Sequence, residues 1–268
     1  MNPFLEALKN IGVEPRIIDN YKSYSKGNFS KAAKIACENV TKIKEIIETV
    51  SGRELSDDWF PYNPIDDSGS MDDLTVTNYE WPFIYWSDSK GNSGKNDIRK
   101  GEGKLPWRLD WPAKWSWIGV TCEPFGKDHG TSGGSYSTGR KFSEMFGHEP
   151  PFPLTYEWIS LKGEGAMSSS SGVTIGPMDV LELVPSEILR YLIARSKPNK
   201  HLEFNTGDLL LNLADEYERV CQSVVDSKGV NLEELTKRQR VLKEEAIGSV
   251  IYLSLIHISE PTRQAEIS

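Results

Sequence analysis

Residues 117–161 carry a strand, a polar turn, a helix and a second strand, and this succession constrains the fold more than any other feature. The apolar run 117–123 reads as a strand that passes into Pro124-Phe125-Gly126-Lys127-Asp128-His129. A Gly/Ser-rich stretch then opens a helix ending near Gly147, and 154–161 reads as the next strand. Strands alternating with helices belong to α/β layers. In an open α/β sheet, ligands bind beyond the carboxyl ends of the strands. Gly126 lets a ligand approach the backbone there, Asp128 and His129 offer polar side chains, and the helix start that follows favours negative charge. Taken alone, a histidine at a strand end is more often a structural residue.

The remaining segments fit around this unit. Residues 4–10 read as a helix with Phe4, Leu5, Leu8 and Ile11 on one face and Gly12 as its stop. Residues 16–19 read as a short strand. A longer helix is predicted from Ser30, placed to cap it, through Ala36, Val40, Ile43, Ile47 and Val50 to a stop at Gly52. Residues 57–104 turn rich in Asp, Ser, Gly and aromatics, with β-like runs at 74–79 and 81–86. From Met178 onward the pattern is helical, with Ser186 as a cap and further helices at 208–225 and 232–247.

Charge and cysteine usage narrow the function classes. The net charge of the 268 residues is −8, which argues against a chain that coats phosphate backbones. The charge is uneven: Lys22 to Arg53 holds seven Lys/Arg against three Glu, and Glu54 to Asp73 holds seven acids and no base. Such runs most often are solvated faces. No stretch approaches the ~20 consecutive apolar residues of a membrane-spanning helix, and no secretory leader is visible. Cys37, Cys122 and Cys221 lie far apart without metal-ligand spacing, so no metal site is expected and a reducing, cytoplasmic setting fits.

Two further elements carry chemistry. Trp107-Arg108-Leu109-Asp110-Trp111-Pro112-Ala113-Lys114-Trp115 interleaves three tryptophans with charged groups. Aromatic planes can hold the stem and ammonium of a cationic ligand, and the same residues can form a core seam. Met167-Ser168-Ser169-Ser170-Ser171-Gly172 offers hydroxyls and backbone N–H groups that can cradle phosphates. It lacks a Gly-Lys-Ser/Thr ending, so it is not a P-loop, and alone it also reads as a polar linker.

In the order Trp107-Arg-Leu-Asp-Trp-Pro, Glu123-Pro-Phe-Gly-Lys-Asp-His129, Gly133-Gly-Ser-Tyr-Ser-Thr-Gly139, Tyr156-Glu-Trp, Met167-Ser-Ser-Ser-Ser-Gly172 and Leu189 to Lys200, the elements resemble the class I lysyl-tRNA synthetases. The resemblance is dense from Trp107 to Phe204 and loose before it. It implies an α/β fold: an incomplete Rossmann-type class I synthetase catalytic domain with a β-rich insertion and a C-terminal helical module. It implies ATP as substrate with Mg2+, L-lysine and tRNA(Lys) as partners, and formation of lysyl-adenylate before transfer to tRNA. It places Trp107, His129 and Tyr156 at the lysine pocket, Gly126 and Asp128 at the ATP ribose, and Met167, Ser168, Ser169, Ser170 and Ser171 in the mobile phosphate loop. Glu157 and Asp110 are nearby acids of second rank. A related synthetase for glutamate or cysteine and a non-catalytic synthetase-like binding paralogue are the alternatives.

Two departures accompany it. Ala166 and Ser171 stand where the family often has lysines, which leaves Lys162, hydroxyls, backbone N–H groups or Mg2+ to meet the phosphates. No His-Ile-Gly-His-like motif occurs, so the chain reads as an internal fragment, inactive alone, with oligomeric state open. The expected organisation is 1–56 as part of the catalytic domain, 57–104 as the insertion, 105–177 as its second half and 178–252 as a helical stem-contact module. Residues 253–268 resemble translated sequencing adapter and are expected to be non-native.

Overall fold

The computed structural model describes residues 3–161, 165–166, 176–204 and 208–228. The chain divides into two compact units, one of Met1–Pro15 with Glu157–Ser268 and one of Arg16–Tyr156. The chain opens with helix α1 (Pro3–Asn10) of the first of these, and Gly12 at φ 71° follows it.

The unit of residues 16–156 starts with α2 (Asn20–Ser25), α3 (Ser30–Cys37) and α4 (Val40–Ser51). Residues 16–19 form no strand. Asp19 instead turns its carboxylate onto the backbone N–H of Lys22, at 3.0 Å, and caps α2. The single helix predicted from Ser30 is two helices broken at Glu38-Asn39. Ser30 lies inside α3 and donates its hydroxyl to the carbonyl of Gly27 at 2.6 Å, so it does not cap. Gly52 ends α4 in the left-handed conformation, at φ 65°.

The β-rich segment forms an antiparallel sheet in the order β1 (Leu74–Glu80), β2 (Phe83–Asp88), β3 (Ser93–Asp97). Alternation puts Ile84 and Trp86 on its buried side, and Ile84 joins Ala33, Ala36 and Ile43 of the helices in the core. Gly94 lies beneath Trp86, and a Cβ there would stand 2.4 Å from the indole ring.

Residues 107–118 form a helix, α5 (Trp107–Ile118), and the strand expected over 117–123 is displaced to β4 (Cys122–Gly126). Gly119, at φ 77°, ends the helix. The helix hides in the sequence because Leu109, Asp110, Trp111, Pro112, Ala113 and Trp115 are all buried, which leaves no polar face to set a period. A four-residue helix, α6 (Lys127–Gly130), and then α7 (Ser135–Met145) lead to β5 (Phe152–Tyr156), parallel to β4. This is a strand–helix–strand crossover of an α/β layer.

In the other unit the run expected as one strand over 154–161 continues as a separate strand, β6 (Ile159–Leu161). It lies between β7 (Gly165–Ala166), antiparallel, and a parallel strand further along the chain. Helices α8 (Pro177–Leu183) and α9 (Ser186–Arg195) precede that strand, β8 (Leu202–Phe204), and α10 (Asp208–Lys228) follows it. Pro185 takes the cap position expected of Ser186, whose hydroxyl donates to Glu187 at 2.9 Å. Val180, Val184, Ile188, Phe204, Leu210 and Leu213 form a small core. Glu216 on α10 accepts from the Tyr191 hydroxyl at 2.8 Å and pairs with Arg195, tying α10 to α9. Residues 232–247 and 253–268 lie outside the described residues. Among the described residues no helix is long and apolar enough to cross a membrane.

Candidate active site

Strands β4 and β5 end side by side, with Gly126 paired to Tyr156 in register. A Cβ on Gly126 would be 3.9 Å from the Tyr156 ring, ordinary contact, so no neighbouring protein atom requires a glycine there. Gly133 and Gly134 differ. Gly133 has φ 77°, and a Cβ on Gly134 would stand 2.5 Å from the carbonyl oxygen of His129. Tight folding of the turn, rather than a ligand, therefore demands glycine at 133 and 134.

An aromatic surface borders this strand end. Trp107, Trp111 and Trp115 recur every fourth residue and form one stripe along α5. Trp107 stacks on Trp111 with ring centroids 5.4 Å apart and planes 13° apart. His129 on α6 lies 6.0 Å from Trp107 and 5.6 Å from Trp111. Phe125 meets Trp111 edge-on at 5.7 Å, and Tyr136 packs on both Phe125 and Trp115. Burial is graded along the stripe: Trp115 and Trp111 are buried, while Trp107 is 51% exposed. Tyr156 is also exposed, at 48%, and Asp128 is exposed on α6.

Trp107 and His129 thus come together at the end of β4. Gly126 and Tyr156 are neighbours across β4 and β5, and Asp128 is the residue beside His129. Asp110 is not available to this surface. It is buried and accepts from the Tyr24 hydroxyl at 2.6 Å and from Lys114. Burial and the Asp110 charge push the Tyr24 hydroxyl far above its ordinary pKa, so it stays protonated and donating. Met167, Ser168, Ser169, Ser170 and Ser171 lie outside the described residues.

Two features escaped the sequence reading. Trp111 is the centre of the stack, a role visible in advance only in the four-residue spacing of the tryptophans. Glu123 was one letter of a motif, yet its carboxylate accepts from Trp111 Nε1 at 3.2 Å and from Trp115 Nε1 at 2.8 Å. No local signal announces a contact between a strand residue and a helix whose identity was itself obscured. Among the described residues no group of three or more His, Cys, Asp or Glu is placed to hold a metal ion.

A parallel crossover with polar and aromatic side chains gathered beyond its strand ends defines an α/β protein with its candidate site at the sheet edge. The chain belongs to the class I (K) tRNA synthetases, the family it matches over residues 1–245. It is 44% identical over 230 residues to the lysine–tRNA ligase of Thermoplasma acidophilum, covering 85% of this chain and 45% of that one. It is 47% identical over 224 residues to the lysine–tRNA ligase of Methanosarcina barkeri strain Fusaro, covering 82% and 42%. It is 43% identical over 252 residues to that of Picrophilus torridus, covering 91% and 50%. The chain therefore spans about half the length of the curated relatives it matches.

Proposed function

We propose that this chain is the lysine-recognising part of a lysine–tRNA ligase. The observation that carries the reading is the aromatic surface at the end of β4, where Trp107 stacks on Trp111 and His129 lies tilted against both, 5.4–6.0 Å between centroids. An apolar stem with a cationic tip suits such a surface, because the methylenes lie along an aromatic face and the ammonium is drawn to the ring quadrupole. In this reading Trp107, His129 and Tyr156 receive L-lysine, and Gly126 and Asp128 meet the ribose of ATP. Met167, Ser168, Ser169, Ser170 and Ser171 meet its phosphates.

The reaction that follows joins the lysine carboxylate to the α-phosphate of ATP, releasing pyrophosphate; a hydroxyl of the terminal ribose of tRNA(Lys) then attacks the lysyl carbonyl, breaking the acyl–phosphate bond and releasing AMP. The protein contributes orientation and charge stabilisation. Mg2+ would come with the phosphates of ATP and would neutralise part of their charge there. The setting is the cytoplasm, where translation runs. The segments 1–56 and 105–177 serve the catalytic domain, 57–104 is its insertion and 178–252 contacts the tRNA stem.

The test is a titration of the chain with L-lysine followed by tryptophan fluorescence, with L-norleucine and L-arginine as competitors. A saturable change with L-lysine, absent with norleucine, is expected. An equal response to norleucine, or none to lysine, defeats the reading.

A further inference from the structure

Trp111 holds the aromatic surface together: Trp107, His129, Phe125 and Trp115 all pack on it, at 4.8–5.7 Å. Its ring is buried, so what orients it sets the tilt of the two partners that line the strand end. Stacking alone lets an indole slide or turn in its plane. The directional contact is the hydrogen bond from Trp111 Nε1 to Glu123 Oε1 at 3.2 Å. The other oxygen of the same carboxylate takes Trp115 Nε1 at 2.8 Å.

The chemistry of this clamp is selective. Trp111 and Trp115 are one turn apart on α5, and their N–H groups converge on a half-buried side chain from β4. Each indole can only donate, so the bridging group must accept at both ends. A carboxylate does so with charge assistance. Glutamine offers one acceptor, and its NH2 would be turned against the second indole N–H.

We propose that Glu123 is a positioning residue of the lysine site. It fixes Trp111 and Trp115 as a pair, and through the ring contacts on Trp111 it sets the placement of Trp107 and His129. Neither of those two residues touches Glu123 through any of the hydrogen bonds above, so its influence passes through the Trp111 ring. The assignment of lysine to this surface rests on the reading under Proposed function; the clamp itself rests on the geometry.

The experiment compares the chain with its Glu123→Gln and Glu123→Asp variants, using indole N–H and imidazole C–H resonances assigned with Trp→Phe substitutions. In Glu123→Gln the Trp111 and Trp115 indole protons are expected to move. The resonances of Trp107 and His129 are expected to move as well, with the circular dichroism unchanged. If Trp107 and His129 stay where they are while Trp111 and Trp115 move, the proposal is overturned. Glu123→Asp keeps the charge on a shorter arm and should lose one of the two indole contacts; it carries the same comparison should the Gln variant fold poorly. In the L-lysine titration, Glu123→Gln is expected to bind about tenfold more weakly, the scale of one charge-assisted hydrogen bond. Unchanged lysine affinity overturns the positioning role. A parent chain that ignores lysine while its Gln variant displaces the Trp107 and His129 resonances sinks the lysine reading and leaves the clamp standing.

Discussion

Gly139 on α7 lies so close to the indole of Trp115 on α5 that a Cβ in its place would be 2.8 Å from the ring carbon Cη2. Trp115 has no freedom to yield, being fully buried and bonded to Glu123. The two helices approach because one of them has no side chain at the contact. Gly139→Ala is therefore expected to destabilise the chain by about 1–3 kcal/mol, the usual cost of overpacking a tight core. This holds although alanine is the better helix former by about 1 kcal/mol. Urea denaturation measures it, and a variant as stable as the parent would show that α5 and α7 can separate at no cost.

Asp110 ties three segments of the same core. Its carboxylate takes the Tyr24 hydroxyl of α2 and pairs with Lys114 a turn along α5, and the Tyr24 oxygen accepts from the Leu105 N–H at 3.1 Å. Asp110→Ala leaves a buried hydroxyl without its acceptor and a part-buried ammonium without its partner. A loss of about 2–4 kcal/mol is expected in urea or thermal denaturation. The loss should appear as stability and not as lysine affinity, once binding is measured well below the melting temperature.

How far these relations were legible from the residues depends on whether an element has a polar face. Helix α4 has one, and its path to Gly52 is plain in the spacing of Val40, Ile43 and Ile47. Helix α5 has none, so its tryptophans read as an aromatic surface or core seam with no element assigned, and its last residues fall in the run expected as a strand. The offset of β4 from 117–123 to Cys122–Gly126 followed from that one confusion. At the site, Trp107 and His129 were legible through the order of motifs along the chain. Their mutual distance, and the part of Glu123 beneath them, depend on β4 lying against α5, which no local pattern encodes. The break at Glu38-Asn39 was hidden for the opposite reason: the apolar period runs through it unbroken.

Acid should weaken the sheet-bearing region through Asp97. Its buried carboxylate accepts from Arg99 Nε at 3.0 Å, Arg99 Nη2 at 2.8 Å and the Arg99 backbone N–H at 3.0 Å. The Arg99 guanidinium and these donors hold the Asp97 carboxyl below the usual carboxylate range, against the opposing pull of burial. A lowered folded-state pKa means that the stabilisation is fully present above the unfolded value of about 4 and is lost as pH falls through the folded value. Asp66, Asp88 and Glu216 are shifted the same way, so the difference between parent and Asp97→Asn isolates this group. The variant should be less stable at pH 7 and lose less further stability below about pH 4. Parallel curves for the two chains would show that Asp97 is not coupled to folding.

Trp107 separates binding from stability more sharply than any other residue of the site. It is half exposed, and its described ring contacts are the stack on Trp111 and the tilted approach of His129. Removing the ring takes little apolar area out of the core, so Trp107→Ala should change the urea midpoint by less than about 1 kcal/mol. The same change removes the outer plane against which a lysine stem and ammonium would lie. A contact of that kind is worth on the order of tenfold in affinity. Lysine titration of Trp107→Ala should therefore show at least that loss, with Trp107→Phe recovering part of it because a smaller ring still stacks on Trp111. An alanine variant that binds lysine like the parent would move the amino acid away from this surface, whatever its stability.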